Sequence, residues 1–128
     1  MRWLLDSNVL IDALGGLPHG RRVLREARSR PDVEVAYSAI TRIEVLGFPN
    51  LGAEEEAAVR ALLNEFDEVP ISNAVVEQTI LIRRAIRIRI PDALIGASAQ
   101  VTHATLVTRN ISDFQQIAGL TVVHPDNV

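Results

Sequence analysis

The stretch "MRWLLDSNVLIDAL", residues 1–14, decides how the rest of the chain is read. Leu4 and Leu5 run straight into Asp6, and Ser7 and Asn8 then precede a second apolar segment. "RWLLD" reads as a short buried strand. "SNVLIDAL" reads as a helix that Gly15 and Gly16 end. A carboxylate at the end of a buried strand is costly unless something offsets it. Asp6 is therefore either the cap of the following helix or a member of a site.

The pattern continues outward from this strand–helix unit. Residues 18 to 30 give a helix with Val23, Leu24 and Ala27 on its apolar side, closed by Pro31. "VEVAY" at 33–37 alternates and is β-branched, the signature of a strand. Ser38 is an N-cap for a helix through Leu46 that Gly47 and Pro49 stop. A helix over about 53–65 follows, and "EVPI" is a short strand. Ser72 caps a long helix to about Arg87. Pro91 stands where a helix begins, because its missing N–H is not needed there. "PDALIGASAQVTHA" is that helix, and its small residues mark it as central. "TLVTR" is a strand, "NISDFQQI" a loop or single helical turn, and "TVV" a last strand. Strands alternating with helices define an α/β class: one domain over residues 1–128, a mostly parallel sheet with helices on both sides.

Composition narrows the function. The chain has 128 residues, enough for one core. Without cysteine it has no disulfide, thiol nucleophile or thiolate metal site. No signal peptide is visible, and no run approaches the roughly 18 apolar residues of a membrane span. A cytoplasmic protein is expected. The net charge is −3, yet all 13 basic residues are arginine. They cluster at Arg21–Arg30 and Arg83–Arg89, where they are either solvated helix faces or phosphate-holding forks.

In open parallel sheets ligands sit beyond the carboxyl ends of the strands. Asp6 ends the first strand, and Asn110 and Asp113 follow "TLVTR". Glu44 lies close in angle to Ile40 on the apolar side of its helix, so it is expected to point inward. Asp92 opens the central helix. Each has a plain alternative: a cap for Asp6, a dipole partner for Asp92, an arginine pair for Glu44, a turn for Asp113. As a group they repel, so their pKa values rise or a cation neutralises them. Oxygen-only ligands suit Mg²⁺ or Mn²⁺, and such a metal can activate water and steady a phosphodiester transition state. His19, His103 and His124 show no ligand spacing and read as surface or packing residues.

The motifs "LLDSNVLIDAL", "SAITRIEVLGF", "IPDALIGASA" and "LVTRNISDF" resemble, in order, those of PIN-domain ribonucleases. The nearest resemblance is to the VapC-type toxins of toxin–antitoxin pairs, and it spans Asp6 to Asp113. It implies that Asp6, Glu44 and Asp92 surround Mg²⁺ or Mn²⁺, with Ser7 orienting the site. Many members carry Asp where this chain has Asn110, so Asp113 is the expected fourth carboxylate. The implied reaction is metal-assisted hydrolysis of single-stranded or loop RNA, as in tRNA or rRNA. Arg42, Arg84, Arg87, Arg89 and Arg109 are then candidates to hold the RNA backbone. The implied partners are a VapB-like antitoxin and a second copy of the chain, to which the apolar excess of "AVVEQTILIRRAI" is suited.

Four other readings compete. A phosphoacceptor receiver domain needs a late lysine and paired acids after the first strand, and this chain has neither. A serine hydrolase needs a nucleophile elbow, which "GASAQ" does not supply. A PIN fold that binds RNA or a partner without catalysis differs in class, and a PIN nuclease without an antitoxin differs in role. Metal titration separates the binding module from the nuclease.

Overall fold

A computed structural model describes residues 1–128. Five strands form one all-parallel sheet: β1 (Arg2–Leu5), β2 (Glu34–Ser38), β3 (Asp67–Val69), β4 (Thr105–Val107) and β5 (Val122–Val123). Their order is β3-β2-β1-β4-β5. The chain thus builds outward from β1 on one side, then returns to build outward on the other. Leu4 faces Ala36 across one ladder and Leu106 across the next. The carboxyl ends of β1 and β4 flank the point where the direction of building reverses, which is where such sheets leave a crevice.

The helices are α1 (Ser7–Leu14), α2 (Pro18–Ser29), α3 (Ala39–Leu46), α4 (Ala53–Leu63), α5 (Asn73–Ala85), α6 (Ile90–Val101) and the single turn α7 (Ile111–Phe114). A 3₁₀ turn, Pro125–Asn127, follows β5. Period-two alternation divides the sheet residues between two cores. Trp3, Leu5, Val35, Tyr37 and Val107 pack with Val9, Leu10, Val23, Leu24, Leu62 and Leu63 of α1, α2 and α4. Leu4, Ala36 and Leu106 pack with Val75, Ile82, Ile95 and Phe114 of α5, α6 and α7. Helices therefore cover both faces, as a parallel sheet requires.

Local chemistry explains the element ends. Ser38 Oγ accepts from Ile40 N and Ser72 Oγ from Val75 N, so both serines cap as the sequence predicts. Several boundaries differ. The third strand begins one residue early and stops at Val69, because Pro70 has no N–H to donate. Helix α5 ends at Ala85 rather than Arg87, and Ile86 is extended. Helix α6 ends at Val101, and His103 turns left-handed with φ 56°.

Helix α6 is central, packing on β1, β2 and β4 and on α3 and α5. Gly20 sets another close approach: a Cβ there would lie 2.2 Å from Ala13 N, so α1 and α2 touch backbone to backbone. No helix is long and apolar enough to cross a membrane.

Candidate functional site

Asp6 leaves the end of β1 and caps α1 in one residue. Its Oδ1 accepts from Ser7 N at 2.7 Å. Its Oδ2 accepts from Asn8 Nδ2 at 2.9 Å and from the Thr108 hydroxyl at 2.7 Å. Thr108 follows β4, so this hydroxyl ties the two strands across the crevice. The same Oγ accepts from Asn110 N at 3.0 Å, which fixes the turn into α7. The capping role and the site role of Asp6 are thus not exclusive.

Asp6 is only 5% exposed, and it takes part in no ion pair within 4.0 Å. Burial pushes its carboxyl up to about 6. The negative charges of Asp92 and Glu44 push the same way, while the Thr108 and Ser7 hydrogen bonds hold it down. Asp92 is also raised by burial and by Asp113, against the opposing Arg89. These carboxylates feel one another.

Glu44 does not point inward as the helical angle predicts. The buried residues of α3 are Thr41 and Val45. Glu44, three residues on from Thr41, falls on the flank and is exposed. Its Oε1 still reaches back to accept from Ser7 Oγ at 2.7 Å. Ser7 Oγ also lies 2.9 Å from Thr41 Oγ1. Ser7 therefore holds Glu44 at the rim. On the far side Asn110 Nδ2 donates to the exposed Asp113 at 2.8 Å. No three of Asp6, Glu44, Asp92 and Asp113 bring carboxylate oxygens within 4.8 Å of one another, so the cluster is an open one.

A cleft of about 300 Å³ joins Asp92 and Asp113 to Arg83, Arg87 and Arg89. Arg89 lies 3.7 Å from Asp92. Arg83, Arg84 and Arg87 are exposed and in no ion pair, so their forks are open to solvent. Arg42 instead pairs with Glu68 through two nitrogens. Arg109 turns back to the buried Asp12 on α1, with Nη2 3.4 Å from Oδ1.

The donor set fits an oxygen-preferring divalent cation. It offers carboxylates, an amide and hydroxyls, with a buried acid that only neutral donors touch. Asp6, Glu44, Asp92 and Asp113 are the residues able to supply charge, with Ser7 and Asn110 beside them. Sequence reasoning did not single out Thr108, Asn8, Thr41 or Asp12. Thr108 and Asn8 stood inside the motifs; Asp12 and Arg109 are 97 residues apart.

Comparison with known proteins places the chain in a family. Residues 3–120 match the family model described as PIN domain. The chain belongs to the PIN domain family, whose members are generally nucleases. Within that family its fold is similar to chains found in solved toxin–antitoxin complexes. A chain of a toxin–antitoxin complex from Klebsiella pneumoniae is 34% identical, with a TM-score of 0.77 over 95% of this chain and 96% of that one. FitAcB from Neisseria gonorrhoeae gives 25% identity and a TM-score of 0.74, covering 98% and 99%. VapBC2 from Rickettsia felis, bound to a DNA fragment from its promoter, shares the fold at 20% identity, with a TM-score of 0.83 over 97% and 98%. No curated protein matches the chain.

Proposed function

We propose that this chain is a Mg²⁺- or Mn²⁺-dependent endoribonuclease, one PIN domain over residues 1–128, and the toxin of a toxin–antitoxin pair. The observation that carries the reading is Asp6: buried at the switch point, raised to about 6, and offset by no protein cation. Asp6, Glu44, Asp92 and Asp113 would hold the metal, with Ser7 and Asn110 supporting them. When bound, the metal lowers the pKa of water and stabilises charge on the phosphodiester.

The chain's own residues prepare that chemistry. Ser7 N, Asn8 and Thr108 fix both oxygens of Asp6, so its carboxylate cannot rotate away. Ser7 and Asn110 orient the two rim carboxylates, Glu44 and Asp113. Arg83 and Arg87 have open guanidinium forks beside Asp92, which suits RNA phosphates. Arg84 follows Arg83 on α5, whereas Arg89, Arg42 and Arg109 must first leave carboxylate partners. Loop RNA is the favoured substrate, because splayed bases are what proteins read in RNA.

The surface supports the two protein partners. Ile11, Leu14, Phe48 and Leu51 line an apolar groove of about 230 Å³ between α1 and α4, suited to an apolar segment of an antitoxin. Val76, Ile80 and Leu81 of α5 are exposed, suited to a second copy.

Labelled tRNA and rRNA incubated with Mg²⁺, Mn²⁺ or EDTA test the reading, with Asp6→Ala and Asp92→Ala beside the parent. Discrete metal-dependent products, absent in both variants, are expected. A folded parent that binds RNA, takes up no divalent cation and cuts nothing is instead a binding module.

A further inference from the structure

A second group of metal-capable side chains lies outside the acidic crevice. His19 stands in the first turn of α2, and His124 and Asp126 flank the buried Pro125 after β5. His19 Nδ1 is 2.7 Å from Asp126 Oδ1, and His124 Nδ1 is 3.6 Å from Asp126 Oδ2. The imidazoles meet edge to face with centroids 5.3 Å apart. One nitrogen or oxygen from each of the three residues lies within 4.8 Å of the other two. Ligands about 2.1 Å from one tetrahedral ion lie roughly 3.4 Å apart, so a small side-chain adjustment closes the set.

We propose that His19, His124 and Asp126 form a second metal site, which takes a borderline transition-metal ion such as Zn²⁺ rather than Mg²⁺. Two imidazoles and one carboxylate are the donors that Zn²⁺ prefers, whereas Mg²⁺ takes oxygen. The scaffold holds the donors in place. The 3₁₀ turn packs on α2, and Arg22 Nη2 donates to Val128 O at 2.9 Å. His124 Nδ1 accepts from Asp126 N at 3.1 Å, so that nitrogen is unprotonated and exchanges this hydrogen bond for the ion when it binds. His19 gives up its hydrogen bond to Asp126 when the ion enters. All three side chains are partly exposed, which gives the ion an entry path and leaves positions for water. The bound ion clamps the segment after β5 to the start of α2, so it acts on stability and not on the acidic crevice. The inference does not depend on the nuclease reading.

The test is Zn²⁺ binding to the full chain in a large excess of Mg²⁺, followed by calorimetry and thermal unfolding. The parent, His19→Asn, His124→Asn and the Asp6→Asn/Asp92→Asn double variant are compared. One Zn²⁺ per chain and a raised Tm are expected for the parent and for the double variant. Each histidine variant should weaken binding roughly tenfold or more. Proton NMR adds a readout independent of unfolding: Zn²⁺ should move the imidazole signals of His19 and His124 and leave His103 in place. Unchanged affinity in both histidine variants, or no Zn²⁺ uptake by the parent, overturns the proposal.

Discussion

Asp6 and Asp12 lie six residues apart, at the start and middle of the same helix, and are almost equally buried at 5% and 4% exposed. Their surroundings differ in one respect. Asp12 has the guanidinium of Arg109 against it. Asp6 has a backbone amide, a side-chain amide and a hydroxyl, and acids for neighbours. Asp12 thus completes its charge balance within the protein, whereas Asp6 leaves its own open to a proton or an external cation. Equal burial therefore marks a structural carboxylate in one place and a working one in the other, and the partner is what distinguishes them.

The strongest way to break this contrast is at Asp6. Removing its charge with Asp6→Asn should lower RNA cleavage by about a thousandfold, the several kcal/mol that metal catalysis supplies. Asp12→Asn should leave cleavage within about tenfold of the parent. Initial rates on one labelled RNA, with circular dichroism to confirm folding, read both. Equal losses would mean that the two acids are not different in kind.

pH sharpens the same contrast without mutation. The folded value of Asp6, about 6, lies above the ordinary 3.8, so the folded state binds the proton more tightly. Its contribution to stability is full below the ordinary value and is lost as pH rises through the folded one. The metal-free protein should therefore gain up to ~3 kcal/mol from this group between about pH 7 and pH 4. Glu65, lowered by Arg28, acts oppositely but below its ordinary 4.5. Denaturant unfolding at stepped pH, with EDTA, measures the gain; Mg²⁺ should flatten the curve.

Arg109 is the next lever. Arg109→Ala leaves Asp12 buried without its cation and should cost about 2 kcal/mol, less than for a fully buried pair because 44% of the arginine side chain is exposed. The Asp12→Asn/Arg109→Ala double variant should recover most of that loss in the same unfolding measurement. The smallest effect is expected from Thr108→Val, which deletes the hydroxyl on Asp6 Oδ2. It should cost about 1 kcal/mol of stability and raise the Asp6 carboxyl further, read by NMR titration.

Much of this frame was legible in the sequence. Apolar runs, the capping serines Ser38 and Ser72 and the helix-opening Pro91 located the five strands and α3, α5 and α6, because those signals are local. The end of β1 drew attention to Asp6 for the same reason. What stayed hidden depends on residues far apart in the chain. The Thr108 hydroxyl on Asp6 spans 102 residues, the Arg109 pair with Asp12 spans 97, and His19 meets Asp126 across 107. No spacing rule reaches across such intervals. Glu44 was misjudged for another reason. A helical angle places a residue within its own helix, but which side faces the core is set by neighbouring elements, and those took Thr41 and Val45.

The central position of β1 also bears on timing. It is the first strand made, yet one of its two neighbours, β4, lies about a hundred residues later. While the chain is being synthesised, β1 can pair with β2 and β2 with β3, but Asp6 has no Thr108 to meet and no Asp92 or Asp113 nearby. The crevice is completed only when the last quarter of the chain has been translated and folded back against the first strand. A nascent or truncated copy that stops short of β4 carries Asp6 without the Thr108 hydroxyl that fixes it.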